Sequence, residues 1–247
     1  MNFRLTDRGV RAILLDIEGT TTPIAFVYDV LFPFARARLH EYLAGSSGGA
    51  HRDAVCKALA LLRAEWNADT AARRAVSGWS DEIPESASAY LEWLMDRDVK
   101  SPALKLLQGL IWEGGYRTGE LKGQVFPDVP RAFRRWRDAQ VAIAIYSSGS
   151  VLAQRLLFGA TEQGDLTPFI AAFFDTGVGA KRWPDSYRRI AAELNRKGEG
   201  VLYVSDTPAE LDAARAAGCG VLLAERSGNK GVTYAEAETI RTFDQIV

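Results

Sequence analysis

The stretch LLDIEGTTTP, residues 14–23, runs an apolar segment straight into two carboxylates, Asp16 and Glu18, followed by glycine, threonine and proline in a turn-forming cluster. Side chains alternate faces along an extended strand, so residues two apart share one face. Asp16 and Glu18 then repel each other unless a cation, a shared proton or solvent relieves them. By itself the stretch also reads as a strand ending in a solvated turn. The rest of the chain decides between the two.

Outward from that stretch, apolar runs recur in VAIAIYSS (141–148), FIAAFFDT (169–176), GVLYVSD (200–206) and GVLLAE (220–225), matching the first run VRAILLD (10–16). Continuous runs of this kind suit parallel strands covered on both faces. Helix-like stretches separate the later ones: VLAQRLLFGA, DSYRRIAAELNRKG and PAELDAARAAG, the last two stopped by Gly. The alternation predicts an α/β fold with a doubly wound parallel sheet, whose chemistry gathers at the carboxyl ends of the strands. More than a hundred residues separate the first run from the second, far beyond an ordinary crossover. Those residues read as helical, and a helical cap subdomain over 22–124 is expected to be inserted in a core of 1–21 and 125–247. GSSGG (45–49) is expected to be a flexible loop within it.

Composition narrows the function. The chain has 247 residues, 47% hydrophobic and 25% charged, the balance of a globular protein with a sizeable core. Its 30 Lys and Arg offset 31 Asp and Glu for a formal charge of -1, which leaves no basic footprint for nucleic acid or an anionic membrane. Neither a signal peptide nor an apolar span is visible, so a cytoplasmic protein with no membrane partner is expected. Cys56 and Cys219 lie far apart and form no CxxC pair, so neither a disulfide framework nor a thiolate metal site is indicated.

Each expected strand ends in a residue able to do chemistry: Asp16 and Glu18, then Ser147 and Ser148, then Lys181 in DTGVGAKRWP, then Asp206. Any one of the Ser or Asp residues could simply cap the following helix. TPAE (207–210) also reads as a capping box with Pro at the first helical position, which would make Glu210 structural. Together they suggest more. Carboxylates from two strands converging on one sheet edge make an oxygen site suited to Mg²⁺, and hydroxyls at a helix start with one Lys supply donors for a phosphate sharing that ion. The combination points to phosphoryl transfer. A serine hydrolase is excluded by the absence of a GxSxG elbow and of any histidine after His51. A phosphate-binding module would leave the clustering of Asp16, Glu18 and Asp206 unexplained.

DIEGT, YSSGS, Lys181 and VSDTPAELDAARAAG, in this order, resemble the four motifs of haloacid dehalogenase-like phosphatases, except that Glu18 stands where that family usually has a second Asp. DIEGTTTPIAFVYDVLFPFA, LQGLIWEGGYRTGELKGQVFPDVP and FFDTGVGAKRWPDSY resemble a narrower group, the bifunctional enolase-phosphatases of methionine salvage. That resemblance implies a small-molecule substrate, 2,3-diketo-5-methylthiopentyl-1-phosphate, enolised and then dephosphorylated through an aspartyl-phosphate. A phosphatase of another small metabolite is the alternative. It further implies Asp16 as nucleophile and one Mg²⁺ per subunit on Asp16, Asp206 and the main-chain carbonyl of Glu18. Ser147 and Ser148 would bind phosphate, Lys181 would offset charge, and the protein would be a monomer. Glu18 is a candidate base for enolisation. GLIWEGGYRTGELKG (109–123), with five glycines, is expected to be a mobile loop whose Lys122, and less readily Trp112 or Tyr116, contacts substrate.

Overall fold

The structure is a computed structural model that describes residues 2–45, 51–76, 78–81, 83–99, 101–229, 231–232 and 234–247. The expected loop GSSGG lies, from residue 46 onward, outside the described residues. Six strands form one sheet: β1 Ala12–Leu15, β2 Ala142–Tyr146, β3 Ala172–Phe174, β4 Val201–Ser205, β5 Gly220–Ala224 and β6 Glu238–Ile240. Their order is β3-β2-β1-β4-β5-β6, and every pairing is parallel. β1 lies at the centre, with Ala12 opposite Ala142 on one side and Val201 on the other. The chain winds from β1 toward β2 and β3, then returns across β1 to β4 and beyond. The carboxyl ends of β1, β2 and β4 therefore border the crevice where such sheets bind ligands.

Two readings change. β6 was not expected, because its Glu238 and Thr239 are exposed and carry no apolar run. β3 is only three residues long, since Thr167–Phe169 of the neighbourhood coil into a 3₁₀ turn.

The chain divides into two compact units, residues 28–121 and residues 1–27 with 122–247. Residues 22–27 thus go with the sheet, where Gly19 N–H donates to Thr22 O and Phe126 N–H to Thr21 O. The inserted unit holds α1 Phe32–Gly45, α2 Arg52–Ala68, α3 Thr70–Ala75, α4 Ser88–Asp96 and α5 Pro102–Thr118. Its core contains Leu39, Leu62, Leu91, Leu107 and Ile111. Ser101 caps α5 by accepting from Leu104 N–H, and Gly119, at φ 79°, ends it in the left-handed conformation that glycine tolerates. Residues 109–118, expected as a mobile loop, are thus helical. The tight approach of Phe34 to Gly115 explains one of their glycines as packing. Trp112 is buried, stacks on Phe32 and donates its indole N–H to Leu31 O at 2.8 Å.

In the sheet unit, α6 Val129–Asp138, α7 Val151–Gly159, α8 Pro184–Glu193 and α9 Pro208–Ala216 complete the layers. Ala12, Leu14, Ala144, Tyr146 and Tyr203 pack on one face with Tyr187, Ile190, Leu211 and Ala214 from α8 and α9. Ile13, Leu15 and Ile145 alternate to the other face and are equally buried. A second cluster joins Phe133 and Trp136 of α6 to Phe158 of α7 and Phe243. Among the described residues no helix is long and apolar enough to cross a membrane.

Trp136 is 1% exposed within that second cluster. Trp136→Ala is expected to lower the unfolding free energy by about 3–5 kcal/mol, the usual cost of emptying an aromatic core site. Urea unfolding followed by circular dichroism measures it, and an unchanged midpoint would show that α6 is not held through this ring.

Candidate active site

Asp16 follows the last residue of β1, and its N–H continues the ladder by donating to Val204 O at 3.0 Å. The chain then turns tightly, with Thr20, Thr21 and Thr22 N–H all reaching Ile17 O. Gly19 takes φ 68°, and a Cβ there would collide with the Asp206 carboxylate. The turn needs glycine for its conformation and for the closeness of β4's end. Asp16 is 5% exposed. Its Oδ1 accepts from Ile17 N–H and from Lys181 Nζ, both at 2.7 Å, and its Oδ2 from Ser205 Oγ at 3.1 Å.

Lys181 comes from the loop between β3 and α8 and is nearly buried. Its ammonium also contacts Glu210 Oε2 at 2.7 Å. Burial opposes its charge, but Asp16 and Glu210 outweigh that and hold its pKa above the ordinary lysine value. Glu210 Oε2 further accepts from Tyr203 Oη at 2.7 Å and lies 3.1 Å from Ser205 Oγ, whose one proton it shares with Asp16 Oδ2. The capping box read from TPAE does not form. The Thr207 side chain makes no cap bond and donates instead to Asp206 Oδ1 at 3.1 Å, leaving Glu210 to face inward onto the lysine. Burial, then the charge of Asp16, push Glu210 up to about 7.

Asp206, one residue beyond β4, is pushed up to about 6, first by burial and then by Asp16. Asp16 and Glu210 thus share one ammonium, with Asp206 a third carboxylate nearby. Among the described residues no three acidic, His or Cys side chains converge closely enough to hold a metal alone. Glu18 is half-buried in the turn, bridged through its backbone to Thr22.

Ser147 is buried at the end of β2, and its Oγ accepts from Gly149 N–H at 3.1 Å. Ser148 is half-buried beside it, and Ser150 caps α7 through Ala153 N–H. The fold therefore carries Asp16, Ser147, Lys181 and Asp206 to one sheet edge, with Asp16 and Lys181 in direct contact. Lys122 is exposed and, among the described residues, has no ion pair or hydrogen bond to this cluster. Trp112 and Tyr116 are buried in the inserted unit. Sequence reading missed Tyr203, Ser205, Asn229 and Arg226. Asn229 donates to Gly19 O at 2.8 Å and Arg226 Nε to Thr20 O at 2.8 Å, contacts more than two hundred residues apart in sequence.

Residues 10–218 match the sequence profile of the haloacid dehalogenase-like hydrolases. The chain is 50% identical over 237 residues to the enolase-phosphatase E1 of Synechococcus elongatus, covering 96% of this chain and 98% of that one. It is 42% identical to the enolase-phosphatase E1 of Drosophila melanogaster, over 91% of this chain and 86% of the other. Its fold is similar to the crystal structure of the UTR4 protein of Saccharomyces cerevisiae, with a TM-score of 0.75 and 32% identity over 95% of this chain and 99% of that one. With its motifs on one sheet edge and relatives matching almost end to end, the chain belongs to the haloacid dehalogenase-like hydrolase family.

Proposed function

We propose that the protein is a bifunctional enolase-phosphatase of methionine salvage. It takes 2,3-diketo-5-methylthiopentyl-1-phosphate through its enol to 1,2-dihydroxy-3-keto-5-methylthiopentene and phosphate. The observation that carries the phosphatase half is the Asp16 carboxylate at the end of β1, buried and clamped by Lys181. The relatives named above carry the enolase half.

Asp16 attacks phosphorus. The new O–P bond forms as the bond from phosphorus to the substrate's terminal oxygen breaks, and that oxygen leaves with a proton from the Glu18 carboxyl, which recovers one from the water that attacks next. Water then hydrolyses the aspartyl-phosphate, restoring the carboxylate and releasing phosphate. The ammonium of Lys181 offsets charge on Asp16 and the phosphoryl oxygens, while Ser147 and Ser148 donate to those oxygens. Glu18 takes the proton beside the substrate carbonyl during enolisation. Lys122, with no ion pair among the described residues, has its charge available for substrate. By its resemblance to the enolase-phosphatases the protein is read as a cytoplasmic monomer.

The family is generally Mg²⁺-dependent, and the residues present fit that ion. Their donors are all oxygen, carboxylates outnumber ammonium in the buried cluster, and Gly19 leaves the space beside Asp206 that a side chain would fill. Asp16, Asp206 and the main-chain carbonyl of Glu18 would hold one Mg²⁺. Bound there, the ion supplies Lewis-acid charge neutralisation between nucleophile and phosphate.

Enol absorbance and phosphate release, followed together on the diketone phosphate with Mg²⁺, test the reading. Asp16→Asn is expected to cut phosphate release by roughly 10³-fold or more while enol still forms, as loss of a nucleophile does. Phosphate from generic esters with no enol would leave a phosphatase of another small metabolite. Chelation of Mg²⁺ is expected to stop phosphate release and its return to restore it.

Glu210 holds its proton more tightly in the folded protein than in the unfolded chain. Its contribution to stability is complete below about pH 4.5 and is lost as pH rises through about 7. Melting of the metal-free protein is therefore expected to show the advantage of the wild type over Glu210→Gln shrinking between pH 4.5 and pH 8. A constant difference across that range would place Glu210 outside the titrating cluster.

A further inference from the structure

The loop after β5 reaches back over the turn that follows Asp16. Arg226, 4% exposed, anchors it: Nε donates to Thr20 O, and Nη1 to Asp128 Oδ2 at 2.7 Å and to Arg241 O at 3.0 Å. Three residues on, Asn229 Nδ2 donates to Gly19 O at 2.8 Å and to Asp206 Oδ2 at 3.3 Å. Both partners are acceptors only, so just one orientation of the amide satisfies them. That orientation leaves Oδ1 buried, without a donor among the described residues. Buried acceptors in folded proteins are almost always paired. No described residue supplies that donor, and the atom sits on the same carboxamide whose nitrogen donates to Asp206.

We propose that Asn229 is part of the cation site: its carboxamide oxygen accepts from a water carried by the ion on Asp16 and Asp206, while its amide nitrogen orients Asp206. The inference rests on the Mg²⁺ reading above. Mg²⁺ gives up its waters reluctantly and keeps several when only one or two carboxylates hold it. Each such water needs an acceptor, and Asn229 Oδ1 is an unused one beside a ligand. Asn229 is a positioning residue, since it acts through Asp206 and that water. Gly19 makes the approach possible, because a Cβ there would meet both the Asp206 carboxylate and Asn229 Nδ2.

The test is a titration of the full chain with Mg²⁺ alone, read as the rise in melting temperature, on wild type, Asn229→Ala and Asn229→Asp. Asn229→Ala is expected to raise the Mg²⁺ concentration at half-effect by about 10–100-fold, the range for lost partners of metal ligands. Asn229→Asp keeps an acceptor oxygen for the water but loses the donor to Asp206, and its half-effect is expected to fall between wild type and Asn229→Ala. An unchanged half-effect in Asn229→Ala overturns the proposal. So does equal weakening in both variants, which would reduce Asn229 to a donor for Gly19 and Asp206. If Asn229→Ala does not fold, Asn229→Ser, too short to reach the water, takes its place with the same expectation. Failure of the wild type itself to respond to Mg²⁺ would overturn the Mg²⁺ reading, and the role of Asn229 with it.

Discussion

Lys181 Nζ lies 2.7 Å from both Asp16 and Glu210, and the site depends on that shared cation. A carboxylate taken out of water reverts to its neutral form unless charge or hydrogen bonds compensate it. Asp16 receives both, from Lys181, Ile17 N–H and Ser205. Asp206 and Glu210 have pKa values raised first by burial and then by the charge of Asp16. The cluster is therefore electrostatically incomplete, and a divalent cation would complete it.

The apolar scaffold beneath holds this arrangement still. Tyr146, Tyr187 and Tyr203 meet edge to face, with ring centroids 5.5 and 5.0 Å apart. Each spends its hydroxyl on the site's supports: Tyr146 donates to Gly179 O, Tyr187 to Lys181 O and Tyr203 to Glu210. Burial of the rings and satisfaction of the hydroxyls cooperate, so the lysine-bearing loop is fixed through its own backbone. Gly19 and the loop from Arg226 to Asn229 hold the opposite side, where Asp206 approaches the turn.

The strands that carry the site were legible because burial on both faces imposes continuous apolar runs, and Asp16, Ser147 and Asp206 stand just beyond them, with Lys181 in the loop that follows β3. β6 was not, because an edge strand exposing Glu238 and Thr239 needs no such run. Glu210 was misread for a local reason: a Thr three residues ahead of a Glu is the pattern of a capping box. Its actual partners, Lys181 and Tyr203, become neighbours only when the sheet forms. The glycines of 109–123 suggested mobility, yet one of them is small because Phe34 packs against it, a contact that local composition does not record.

The sequence by itself determined the five strands with buried apolar runs and the chemistry-bearing residues that follow them, since periodicity and local turn chemistry act over a few neighbours. It also determined the family, because motif order survives in the chain as written. Only the tertiary structure decided which charges share a partner. Pairing Lys181 with Asp16 and Glu210, and laying Asn229 against Gly19 and Asp206, requires parallel crossovers that bring residues more than two hundred positions apart within hydrogen-bond reach. Coulomb energy and desolvation depend on those final distances and not on spacing along the chain.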